Sequence, residues 1–159
     1  MKRFRLIPLV MAVALLGGLV AGPATAAGPP IASGQVKSEN GTSQSFAIFN
    51  EPERGHATAV FGGGHVTFDT SECVLADGEG WVAAVGRPIA TTGSVPDVPA
   101  WLIVLLDNEG TGDPDGRFTF ALEEADVAFV CELPAAVVRA IITDDILDDV
   151  VQGDIKVRL

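Results

Sequence analysis

The chain has 159 residues, with 10 basic side chains against 21 acidic ones, a net charge of −11 and two cysteines. Such a balance makes nucleic acid, anionic lipid and anionic wall polymers poor partners by long-range electrostatics unless cations bridge, and favours cations and basic surfaces. No G-x-S-x-G elbow, H-E-x-x-H pair, P-loop or dinucleotide fingerprint occurs, so the enzyme classes those motifs mark are not indicated.

In chain order, Lys2, Arg3 and Arg5 precede an apolar run from Leu6 to Ala21, and Ala24-Thr25-Ala26 offers small residues at cleavage spacing. That pattern predicts a secretory signal peptide over residues 1–26. The run falls short of the roughly 20 apolar residues a membrane span needs, and Pro8, Gly17 and Gly18 interrupt it. Removing it leaves 133 residues of net charge −14, since three basic residues and no acid depart with it. That length suits one domain, expected to be secreted or to lie in the cell envelope.

Residues 27–40, with Gly28-Pro29-Pro30 and Ser33-Gly34, read as a flexible leader to a single β-domain over 41–159. Apolar residues then alternate at Phe46 and Ile48, Val66 and Phe68, Phe118 to Leu122, Val127 to Cys131, and Ile155 to Leu159. Period two predicts strands with one buried face. Ala128 and Val130 suggest that both faces of the Val127 to Cys131 strand are covered, whereas Lys156 and Arg158 should face water.

Gly62-Gly63-Gly64 should join Ala57–Phe61 to His65–Asp69 in a hairpin whose glycines take positive φ. Asp77-Gly78-Glu79-Gly80 should join Cys73–Ala76 to Trp81–Gly86, and a longer acidic loop should join Trp101–Leu106 to Arg117–Leu122. Pro88 to Pro99 holds three prolines and no period, and reads as a crossing loop. Pro134 to Val151 reads as a short helix, through Val137, Val138, Ile141, Ile142 and Ile146, or as a strand followed by an acidic turn. The fold class predicted is all-β, an antiparallel sandwich or barrel of about seven to nine strands, with one short helix near the C-terminus.

In an oxidising compartment Cys73 and Cys131 should form a disulfide pinning two strands. His56 and His65, both at a hairpin, are the only imidazoles, and a metal site built on them would need ligands such as Glu53 and Asp69. Trp81 is a candidate platform for a sugar ring, against the alternative that it packs in the core. Asn40-Gly41-Thr42 fits a glycosylation acceptor.

The loop "LLDNEGTGDPDGRFTF" raises the one cofactor candidate. Asp107, Asn108, Glu109, Asp113 and Asp115 bring five oxygen-bearing side chains into nine residues, and Gly110, Gly112 and Gly116 let carbonyls curl in. Calcium takes six to eight such hard oxygens. The EF-hand order is absent, because the twelfth position from Asp107 is Phe118 rather than a glutamate. The same residue types also make a plain acidic turn.

Four stretches, "VLLDNEGTGDPDGRFTFAL", "SFAIFNEP", "SECVLADGEGWVAAVGRP" and "QGDIKVRL", together resemble secreted bacterial β-domains of the post-COAP type. Those domains repeat a strand, D-N-G-E-P-G, a further Asp, a strand and a closing G-N-I-x-V. Here Glu109 and Gly110 are exchanged, and Asp154 stands where Asn is usual. The resemblance covers residues 33–159 and implies a secreted β architecture without lending a catalytic activity.

The expected function is therefore non-catalytic: binding, adhesion or an envelope structural role, calcium-assisted in its sharpest form, with cell-wall polysaccharide or an extracellular protein as partner. The alternatives are a small hydrolase using loop carboxylates with His65, and an inhibitor-like module presenting Pro88 to Pro99.

Overall fold

The computed structural model describes residues 29–51, 54–108 and 113–158. Residues 1–26, read above as a signal peptide, and the ligand candidates Glu53 and Glu109 lie outside them. Ten strands form one antiparallel sheet: β1 (Ala32–Ser38), β2 (Ser43–Ile48), β3 (His56–Phe61), β4 (Gly64–Asp69), β5 (Cys73–Ala76), β6 (Trp81–Gly86), β7 (Pro88–Gly93), β8 (Ala100–Leu106), β9 (Gly116–Leu122) and β10 (Asp148–Val157). Helices α1 (Glu124–Glu132) and α2 (Ala135–Ile141) stand between β9 and β10.

The order across the sheet is β5-β6-β8-β9-β10-β1-β2-β3-β4-β7. Only Arg87 separates β6, near one end of that order, from β7 at the other, so the sheet must curl until its far edge returns to its start. Two bonds hold the return: the Asp69 amide donates to the Arg87 carbonyl at 3.0 Å, and the Arg87 amide donates to Asp69 Oδ1 at 2.8 Å.

Curling produces two apolar layers. Inside the curl, Phe46, Ile48, Val66 and Phe68 pack against Val82, Trp101, Ile103 and Leu105. On the outer face of β6 and β8, Trp81, Val85, Leu102 and Val104 meet Val127, Val138 and Ile142 from the helices. Successive strand side chains point to opposite faces, so β6 and β8 are buried at every position.

Several sequence expectations are corrected. The residues read as leader contain β1, which pairs with β10 on one side and β2 on the other. Ser33-Gly34 looked like a linker, yet a Cβ at Gly34 would sit 2.5 Å from the Asp154 carbonyl, so the close strand pairing requires glycine there. Pro88 to Pro99 likewise contains a strand. β7 is an edge, where a proline at the first position leaves no ladder bond unmade. These two strands, unseen in the sequence, raise the count to ten. The Gly62-Gly63-Gly64 hairpin forms, but those glycines do not take positive φ. The need at Gly64 is spatial, since its Cβ would lie 2.0 Å from the Thr92 carbonyl of β7.

Val127 to Cys131 is helical rather than extended. Val127 and Cys131 fit both periods, but Phe129 is 58% exposed while Val127, Val130 and Cys131 face the outer apolar layer, the i, i+3, i+4 pattern of a helix. Glu124 and Asp126 in the first turn suit its positive end. The ambiguous C-terminal segment resolves into α2, a short 3-10 turn (Asp144–Ile146) and the start of β10.

Cys73 and Cys131 are joined, with Cα atoms 5.7 Å apart across a separation of 58 residues. The bridge pins β5 to α1, a strand to a helix instead of two strands.

Candidate functional site

The loop between β8 and β9 is placed by an imbalance in strand length. β10 pairs with β9 only at Asp148 and Asp149, opposite Arg117 and Gly116, and then runs past the end of β9. Its outward amides need other acceptors there. Asp115 supplies two: its carbonyl accepts from Val150 at 2.9 Å and its Oδ2 from the Ile155 amide at 2.8 Å. Asp107 Oδ2 accepts from the Val157 amide at 2.9 Å. The loop ties itself as well, with the Asn108 amide donating to Asp115 Oδ1 at 3.0 Å and Asn108 Nδ2 to the Pro114 carbonyl at 2.6 Å.

Asp107, Asn108 and Asp115 are thus brought together, in the role of a missing neighbour strand. Asp113 is exposed. Among the described residues, no three of His, Cys, Asp and Glu group as metal ligands.

The remaining candidates lie elsewhere. His65 Nδ1 is 2.7 Å from Thr92 Oγ1, an exposed contact between β4 and β7, and His56 faces Asp69 in register across the β3–β4 pair. Trp81 is fully buried in the outer apolar layer, which removes it as a sugar platform: no ring face reaches solvent. Trp101 is also buried, its ring 5.9 Å from Phe61 and 6.4 Å from Phe68. The amide nitrogen of Asn40, the acceptor position for a glycan, donates to Asp148 Oδ2 at 2.8 Å.

A polar constellation escaped the sequence reading. Phe118 and Phe120 looked inward-facing, which would send Arg117 to solvent; instead Arg117 is only 2% exposed. Its guanidinium donates to Ser38 Oγ and, at 3.3 Å, to Asn40 Oδ1, and lies 3.4 Å from Asp148 Oδ2. Burial pushes Arg117 below the usual guanidinium range, and Asp148 works against that shift. Above it opens a cleft of about 590 Å³ lined by Glu39, Asn40, Asp145, Leu147, Asp148 and Asp149. Its only sequence signal was a charged residue inside a strand of phenylalanines.

Two further carboxylates brace the scaffold. Asp77 Oδ1 accepts from the Glu79 amide at 2.7 Å and the Trp81 amide at 3.2 Å, while its Oδ2 accepts from Arg139 of α2. Burial raises Asp77, but the two amides and the guanidinium outweigh it and hold the carboxyl below the ordinary range. Asp69 behaves alike: burial opposes, and bonds from the Ser71 hydroxyl and the Arg87 and Ser71 amides prevail.

The outer side of the helical layer is different in kind. Phe129 is 58% exposed, Val137 41%, Ile141 56% and Ile146 40%, four of the seven large hydrophobics exposed among the described residues. Every exposed position of α2, namely Ala136, Val137, Ala140 and Ile141, is apolar.

Comparison with protein families, with characterised proteins and with solved structures finds no match to the chain.

Proposed function

We propose that the chain is a secreted domain that acts by binding an extracellular protein, with no chemistry of its own. The observation that carries this reading is the exposed apolar surface of the helical layer. A helix that turns apolar side chains both inward and outward belongs inside a protein or against one, and α2, whose one charged side chain is Arg139, does so while lying at the surface. The disulfide, the Asp77–Arg139 contact and the Arg87 pairing with Glu72 and Glu124 hold the helices rigidly on the curled sheet. A preorganised surface loses less entropy on binding.

Polysaccharide adhesion has less support, because the candidate aromatic platform is buried. Calcium assistance by the β8–β9 loop has a direct solution test, given in the Discussion.

The reading is tested by site-specific photo-crosslinking. The full chain, expressed with a photoreactive phenylalanine analogue at position 137 or 129, should be exported and form one discrete protein adduct from both positions. A probe at Ala90 on β7 should not form it. Equal adducts from all three positions, or none from any, would defeat the binding assignment.

A further inference from the structure

We propose that the outer face of α2 is a docking site for a cationic amphipathic helix of a partner protein. The proposal rests on the binding reading above and adds the chemistry of the partner. Three features of α2 support it. Its most exposed side chains, Ala136, Val137, Ala140 and Ile141, are apolar, with Val137 and Ile141 one turn apart as a ridge, while Arg139 is half-buried. Alongside lies a shallow groove of about 390 Å³ lined by Ala136, Arg139, Ala140 and Thr143. Alanines spaced four apart let a second helix lay its own ridge close to the backbone.

The surrounding charge selects the partner. Arg139, the one basic group on α2, is already held by Asp77 and lies 3.5 Å from Glu79, which is 81% exposed. Glu132 before the helix and Asp145 after it are exposed carboxylates. An apolar strip with the exposed Glu79 carboxylate beside its one guanidinium, on a chain of net charge −11, complements a helix with an apolar stripe flanked by lysine or arginine. A second copy of this chain would set acids against acids, and an anionic membrane would be repelled.

The test uses the exported, oxidised chain and three fluorescent 18-residue peptides read by anisotropy: a leucine–lysine amphipathic helix, its leucine–glutamate counterpart, and a scrambled leucine–lysine sequence. The first should bind saturably, the second should not bind, and the third should bind about tenfold more weakly, since it keeps the charge and loses the stripe. Ile141→Gln should weaken the first peptide about tenfold. Glu132→Gln combined with Asp145→Asn should flatten the salt dependence, and all variants should melt with the parent.

Equal binding of the ordered and scrambled peptides would overturn the proposal by reducing it to net charge. So would dimerisation of the parent that Ile141→Gln abolishes, which would make a second copy the occupant, or uptake onto phosphatidylcholine vesicles lost in the same variant. A discrete crosslink from position 137 with failure of the leucine–lysine peptide would reject the cationic helix and leave the binding reading standing.

Discussion

Replacing Asp115 by alanine removes the side-chain acceptor of two main-chain amides, those of Asn108 at 3.0 Å and Ile155 at 2.8 Å. Hydrogen bonds to a charged acceptor contribute about 1.5–3 kcal/mol each, and water can reach this half-buried loop in part, so the expected loss is about 3 kcal/mol. At roughly 3 °C per kcal/mol for a domain of this size, the melting temperature should fall by about 10 °C. Asp115→Asn keeps one oxygen acceptor and should lose about half as much. Asp97→Ala, at an exposed position of the segment before β8, should stay within about 0.5 kcal/mol. Amide exchange at Ile155 and Val157 should accelerate in Asp115→Ala ahead of the rest of β10, because those N–H groups face the loop rather than β1. The melts should be run in calcium and in chelator. A purely structural grip predicts the same deficit in both, whereas a calcium site at 100 times its dissociation constant would add about 2.7 kcal/mol to the parent in calcium alone. A variant that melts with the parent in both buffers refutes the strand-surrogate role of the loop. A deficit confined to calcium would reassign the carboxylate to a cation.

The Cys73–Cys131 bridge closes 58 residues, for which the chain-entropy treatment gives about 4 kcal/mol; a Cys73→Ala, Cys131→Ala pair should melt more than about 10 °C lower, and an unchanged melt would show that the bridge adds nothing to the packed scaffold. Trp81→Ala should cost about 4 kcal/mol through the cavity it opens under the helices, and glycans should leave the emission of Trp81 unchanged; quenching by a glycan would contradict its burial. Asp77 and Asp69 sit below the ordinary carboxyl value of 3.8 when folded, so the unfolded chain takes up protons first as pH falls. The stability they provide is full above that value and is lost as pH drops through their folded pKa values. Asp77→Asn should make the acid limb of the stability profile shallower, and an unaltered limb in urea melts would contradict the bracing role. Arg117→Ala should destabilise by about 3 kcal/mol, since Ser38 and Asn40 lose a donor and Asp148 its counter-charge beside a new void; a melt equal to the parent's would show the constellation to be energetically idle.

Local chemistry made much of this molecule legible from the chain alone. Period-two alternation in β2, β4 and the end of β10 needs only that one face be buried, and both shorter hairpins announced themselves through their turns. The cysteine pairing was legible too, because two cysteines allow one intramolecular bridge. What failed depended on neighbours distant in sequence. β1 and β7 look like linkers until a partner strand lies against them, since glycine and proline are penalised locally and accepted where another backbone comes close or an edge is free. Val127 to Cys131 fits strand and helix periods alike, and only the apolar face of β6 and β8 selected the helix by burying residues spaced three and four apart. The acidic loop shows the same division. Its composition announced side-chain oxygen acceptors, but that Asp115 and Asp107 take amides of β10 was set by β10 outrunning β9, a difference in strand length across the sheet that no local pattern encodes.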